Sequence, residues 1–145
     1  MKNGKRILVV DDGKGQRILL EAMVENLGHE VELAADGVEA LDKLEANFHL
    51  VLLDVKMPGM DGFEVLRRIR ESEKYGDIRV AMITGYDSPE VRQRAQEEGA
   101  DDFLAKPIQQ RDLERLLRSL FTHDKPHSES VPFHAKEAQR ANGKG

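Results

Sequence analysis

Short apolar runs alternate with stretches of helical spacing along the whole of residues 6–121, and no other feature restricts the fold so tightly. Arg6-Ile7-Leu8-Val9-Val10 is continuous, as expected for a strand buried on both faces. Glu30 to Ala34 alternates around Val31 and Leu33, and His49 to Leu53 carries a Val-Leu-Leu run that suits a central strand. Val80 to Ile83 and the short Phe103 to Ala105 complete the set. Between the first two strands, Ile18, Leu19, Ala22, Met23 and Leu27 fall at helical spacing over Lys14 to Leu27, with Gly28 as the stop. Asp36 caps a helix through Ala46 with Val38, Leu41 and Leu44 inward, and Asp61 caps another over Gly62 to Glu73. Ser88-Pro89-Glu90 opens a polar helix ending at Gly99. Pro107 leads into the last helix, to about Phe121, with Leu113, Leu116, Leu117 and Leu120 inward. Strict strand–helix alternation implies a parallel sheet with right-handed crossovers and helices on both faces.

Four of the five strands stop at a chemically distinctive patch. The patches are Val10-Asp11-Asp12, Leu53-Asp54, Ile83-Thr84-Gly85 and Ala105-Lys106-Pro107. In an open parallel sheet ligands bind outside the carboxyl ends of the strands, so these residues should meet at one edge. Asp11-Asp12 alone reads more readily as a turn and cap; Asp54 and Lys106 at equivalent topological positions point to function. Three converging carboxylates repel one another unless one holds its proton or a cation intervenes. Mg²⁺ suits such a set best, with Mn²⁺ able to substitute, because it takes a few carboxylates and completes its shell with water or phosphate. Asp54 is poised as a nucleophile toward a phosphoryl group, with Lys106 and Thr84 each facing a different phosphoryl oxygen. Gly85 would let a backbone N–H approach closely.

Composition removes several alternatives. The chain has 145 residues, enough for one domain with a real core. It has no Cys, which excludes a thiolate metal site, a disulfide framework and a Cys nucleophile. No apolar stretch approaches the length that spans a bilayer, and Met1 to Arg6 lacks a signal-peptide core, so a cytoplasmic location is expected. The net charge of -5 offers no footprint for direct nucleic-acid binding by this segment. Composition changes at Thr122, and 122–145 reads as a flexible tail or interdomain linker. His123, His127 and His134 there read as solvated rather than metal-binding, and Ala135 to Ala141 as a nascent helix.

Val-Val-Asp-Asp, Leu-Leu-Asp-Val-Lys-Met-Pro-Gly-Met-Asp-Gly, Ile-Thr-Gly and Ala-Lys-Pro, in this order and spacing, resemble the receiver domain of bacterial two-component response regulators. The resemblance covers roughly residues 5–121 and assigns 1–121 to a receiver domain. It implies a flavodoxin-like (βα)5 fold with strand order 2-1-3-4-5. It implies that Asp54 accepts phosphate from the phosphohistidine of a histidine kinase or histidine phosphotransfer protein. Asp12, Asp54 and the backbone carbonyl of Lys56 would be metal ligands, with Asp11 acting largely through water; Thr84 and Lys106 would hold the phosphoryl group. The same resemblance suggests a cis Lys106–Pro107 bond and makes Phe103 the switch aromatic that turns inward when Thr84 moves. Many relatives carry Tyr there, so a partner that reads its hydroxyl is put in doubt. The implied output is a switch in the surface of helix four, strand five and helix five, a candidate homodimer face. Such a protein catalyses only its own phosphoryl transfer and slow dephosphorylation. Lys56 and Tyr86, two residues after Asp54 and Thr84, should flank the path of hydrolytic water and prolong the phosphorylated state. Two other classes fit less well. An Asp-nucleophile phosphatase or dehalogenase would place a second Asp where Lys56 stands, and would need a cap domain. A nucleotide- or flavin-binding module finds only Gly13-Lys14-Gly15, which lacks the G-x-x-x-x-G-K-[ST] pattern. Any effector beyond Gly145 stays open.

Overall fold

A computed structural model of the chain describes residues 4–122. The readings made for 123–145 lie outside the described residues. The elements are β1 (Arg6–Val10), α1 (Lys14–Asn26), β2 (Glu30–Ala34), α2 (Gly37–Lys43), β3 (Leu50–Asp54), α3 (Gly62–Glu71), β4 (Arg79–Thr84), α4 (Pro89–Glu97), β5 (Asp102–Ala105) and α5 (Gln110–Thr122). All strand pairings are parallel, and the sheet order is β2-β1-β3-β4-β5. This is the flavodoxin-like fold that the strand–helix alternation and the family resemblance led one to expect.

The period of two along each strand divides the core between the two faces of the sheet. Leu8, Val10, Val51 and Leu53 point to one side, where Phe63, Leu66 and Ile69 of α3 and Ala95 of α4 cover them. Ile7, Val9, Leu50 and Leu52 point to the other, against Leu20 and Val24 of α1 and Leu113, Leu116, Leu117 and Leu120 of α5. β3 lies in the middle of the sheet and every one of its residues is buried. Its last residue is Asp54, so this burial reaches the carboxylate itself.

The expected caps form. Asp36 accepts from the Glu39 N–H at 2.8 Å, Asp61 from the Glu64 N–H at 3.0 Å, and the Ser88 hydroxyl from the Val91 N–H at 3.2 Å. Gly28, with φ 94°, takes the left-handed turn after α1 that favours glycine. Several helix boundaries differ from the sequence reading; α4, for one, ends at Glu97 rather than Gly99. α2 stops at Lys43 rather than Ala46, because Leu44 adopts an extended backbone and goes into the core. α3 stops at Glu71, where the Ser72 hydroxyl accepts from the Lys74 and Tyr75 N–H groups and so competes with continued helix. α5 begins only at Gln110.

Val38, expected to face inward, does not, and Ile18 and Leu19, counted in the helical spacing of α1, are exposed as well. Val38 is 59% exposed, Ile18 51% and Leu19 46%. The buried stripe of α1 runs through Leu20 and Val24, leaving Ile18 and Leu19 on its flank. On α2 the inward positions are Gly37, Ala40 and, just past its end, Leu44, so Val38 lies on the outer side.

Candidate functional site

The strand ends bring the four patches to one edge. Asp11 follows directly on β1, and its N–H donates to the Ala34 carbonyl at the end of β2 (3.1 Å). Asp54 closes β3, and the next amide, Val55 N–H, donates to the Ile83 carbonyl at 2.9 Å. The Lys106 N–H donates to the Thr84 carbonyl at 2.8 Å, tying the end of β5 to the end of β4. α3 starts hard against this edge. A Cβ at Gly62 would stand 2.2 Å from the Asp54 carbonyl oxygen, so no other residue fits without moving the backbone.

At this edge Asp11, Asp12 and Asp54 each present a carboxylate oxygen within 4.8 Å of the others. Asp11 and Asp54 are buried and Asp12 is exposed. Lys106 Nζ lies between the buried pair, 3.2 Å from Asp11 Oδ2 and 3.4 Å from Asp54 Oδ1. One ammonium thus faces three carboxylates. Burial, then the neighbouring Asp11 charge, push the Asp54 carboxyl up to about 6, against the opposing pull of Lys106. Asp11 Oδ1 accepts from the Gly13 N–H at 2.8 Å. Its Oδ2, although close to Nζ, receives no aligned hydrogen bond. A buried carboxylate oxygen without a donor, amid excess negative charge, suits a hard divalent cation.

Thr84 is buried at the same edge, with its Oγ1 accepting from the Tyr86 N–H at 3.0 Å. The Lys106–Pro107 peptide is cis. A Cβ at Gly85 would meet nothing closer than Lys106 Cδ at 3.9 Å, so the protein's own packing does not demand glycine there. Phe103 is buried in the core on the α3–α4 side, and the Arg92 guanidinium lies 4.7 Å from its ring centroid. Arg92 is in turn held by both carboxylate oxygens of Asp87, at 2.7 and 3.1 Å. Lys56 and Tyr86 are exposed, and both line one groove of about 660 Å³ with Met57, Pro58, Phe63 and Val91.

Sequence reasoning missed Arg17. From the first turns of α1 its guanidinium donates to the Asp11 carbonyl at 2.8 Å. A side chain acting on a backbone carbonyl leaves no trace in residue pattern, so no signal pointed to it.

Among the described residues no helix is long and apolar enough to cross a membrane. The "Response regulator MprA" of Mycobacterium avium is 39% identical over 126 residues, covering 86% of this chain and 54% of that protein. The chain thus spans about half the length of the curated relatives it matches. The solved structure of Vibrio cholerae chemotaxis protein CheY4 superposes with a TM-score of 0.77 at 35% identity, covering 81% of this chain and 99% of that one. The receiver domain of sensor histidine kinase PA1611 from Pseudomonas aeruginosa gives a TM-score of 0.75 at 29% identity, covering 83% of this chain and 99% of that one. That protein has a magnesium ion coordinated in its active-site cleft. Residues 7–118, which contain all four strand-end patches, match the family described as "Response regulator receiver domain". The chain therefore belongs to the response regulator receiver family.

Proposed function

We propose that this receiver is a cytoplasmic, phosphorylation-controlled switch in which Asp54 takes a phosphoryl group from a phosphohistidine. The observation that carries the reading is Lys106 Nζ set between Asp11 Oδ2 and Asp54 Oδ1 beside the third carboxylate. An Asp54 carboxylate oxygen attacks phosphorus in line with the P–N bond; the O–P bond forms as P–N breaks, and the imidazole leaves with the electron pair. Asp11, Asp12, Asp54 and the Lys56 carbonyl would hold Mg²⁺ (or Mn²⁺ in its place). When bound, such an ion neutralises charge on the carboxylates and on the incoming phosphoryl oxygens. The magnesium in the PA1611 receiver supports this by likeness.

The remaining chemistry belongs to the chain. Lys106 turns from the carboxylates to a phosphoryl oxygen, a charge-assisted contact. The Thr84 oxygen accepts from the Tyr86 N–H, which leaves its hydroxyl proton to donate to another phosphoryl oxygen. Movement of Thr84 is then transmitted through Phe103 to the surface of α4, β5 and α5, where a partner or a second copy docks. Only the protein's own phosphorylation and slow dephosphorylation are catalysed. The control of a further domain is proposed on the longer relatives alone.

Incubation with acetyl phosphate and Mg²⁺, followed by intact-mass measurement, tests the reading. The wild type should gain a single phosphoryl group and Asp54→Asn none. Steady turnover without an adduct would assign the site to a phosphatase. Neither adduct nor turnover would leave only a binding module.

A further inference from the structure

We infer that Arg17 is a positioning residue for the metal-binding carboxylates, acting through the peptide that joins Asp11 to Asp12. The inference rests on the cation reading of the site.

The Asp11 carbonyl oxygen belongs to the peptide plane that leads into Asp12, so whatever fixes that oxygen fixes the direction in which Asp12 leaves the strand. Asp11 itself is held at three points. Its N–H donates to the Ala34 carbonyl, its Oδ1 accepts from the Gly13 N–H, and its carbonyl accepts from Arg17 Nη1 at 2.8 Å. The first two fix the Asp11 amide and side chain. The bond from Arg17 acts beyond them, on the plane that carries Asp12. Asp12 is exposed, in contrast to Asp11 and Asp54, and is not gripped by surrounding core. Its carboxylate is aimed chiefly by its backbone, and the backbone is aimed by Arg17.

The arginine sits near the start of α1, one turn past Gly13. It is half-buried on α1, and its charge acts on Glu39 of α2. Glu39 accepts from the Ala35 N–H at 2.7 Å and pairs with Lys43 at 3.2 Å. The Ala34 carbonyl just before the β2–α2 turn holds the Asp11 amide. Arginine suits this position because it carries several rigid donors, is always charged and tolerates partial burial.

Mg²⁺ demands near-ideal geometry from its ligands, so a rotation of the Asp11–Asp12 peptide should be felt as lost affinity. The test is a Mg²⁺ titration of the whole chain, read by amide chemical shifts, for the wild type, Arg17→Met and Arg17→Lys. Methionine keeps the aliphatic stem and removes every donor; lysine keeps the charge and one flexible donor. The dissociation constant should rise about tenfold in Arg17→Met, the loss expected for one hydrogen bond from a charged group. In Arg17→Lys it should recover to within about threefold of wild type. Melting curves in EDTA report the purely structural contribution separately. A lower Tm with an unchanged dissociation constant in Arg17→Met would overturn the inference, as would equal weakening in both variants. Arg17→Gln replaces Arg17→Met, with the same expectation, if the latter does not fold. A wild type whose spectrum ignores Mg²⁺ would instead sink the cation reading itself, an outcome distinct from the other two.

Discussion

Asp54 ends the central strand with its carboxyl buried and close to another carboxylate, and the resting protein bears the cost of that placement. Its pKa is raised from 3.8 to about 6, by burial first and by Asp11 second. A group raised in the folded state binds its proton more tightly there than in the unfolded chain. Its contribution to stability is therefore full below the unfolded value and is lost as pH rises through about 6. At pH 7.5 without divalent metal, ionised Asp54 should destabilise the fold by about 1–3 kcal/mol. Asp54→Asn removes the ionisation and keeps the shape. Its Tm should exceed that of wild type by several degrees at pH 7.5 in EDTA, and the gap should close toward pH 4. Melting curves across that range check both halves. A mutant no more stable than wild type at pH 7.5 would mean that Lys106 fully offsets burial. The same strain makes the site receptive: added positive charge, or conversion of the carboxylate to an ester-like acyl phosphate, relieves it.

Between elements, a groove bounded by the β3–α3 loop and α4 opens next to the strand end that carries Asp54. Lys56 enters it from the loop after β3, and Tyr86 from the segment after β4. Both are long; under the proposed function the Lys56 ammonium would pair with a phosphoryl oxygen and the tyrosine ring would displace water. The double variant Lys56→Ala/Tyr86→Ala should shorten the half-life of the phosphorylated protein about three- to tenfold, followed as loss of the adduct mass with time. An unchanged half-life removes both residues from that role. The elements themselves were largely legible, because apolar runs and the caps Asp36, Asp61 and Ser88 are local signals. Helix ends and helix orientation were not. α2 is cut short where Leu44 is drawn into the core, and the choice of Leu20 and Val24 over Ile18 and Leu19 is made by the sheet beneath α1. At the site, Asp11, Asp12, Asp54, Thr84 and Lys106 could be placed from sequence because topology brings strand ends together. Arg17 could not, since its partner is a main-chain carbonyl. Nor could the inward position of Phe103 under Arg92, because apolar identity alone does not say which way a ring faces.

Across the molecule, the carboxylate edge and the exposed side of α1 adjoin, since α1 leaves β1 directly through Asp11, Asp12 and Gly13. Ile18 and Leu19 stand exposed a turn into that helix, next to the edge proposed to meet a phosphohistidine. Exposed apolar residues scattered singly need no explanation, but two adjacent ones beside a reactive edge suit a protein contact. Under the proposed function, a donor that brings phosphorus in line with Asp54 would have to dock within a few ångströms of it, and a cation and Lys106 at the carboxylate cluster act on the phosphoryl group alone and not on the donor's protein surface. An apolar contact on α1 would hold that donor in place. Replacing Ile18 and Leu19 by Glu should therefore leave phosphorylation by acetyl phosphate within about twofold of wild type, since that small donor needs no docking surface. Transfer from a phosphorylated histidine kinase should fall at least tenfold, the cost of about 1.4 kcal/mol of lost contact in the encounter. Parallel time courses with the two donors separate the cases. Equal loss with both would mean that the substitutions damage the site itself. No loss with the kinase would move its docking surface away from α1.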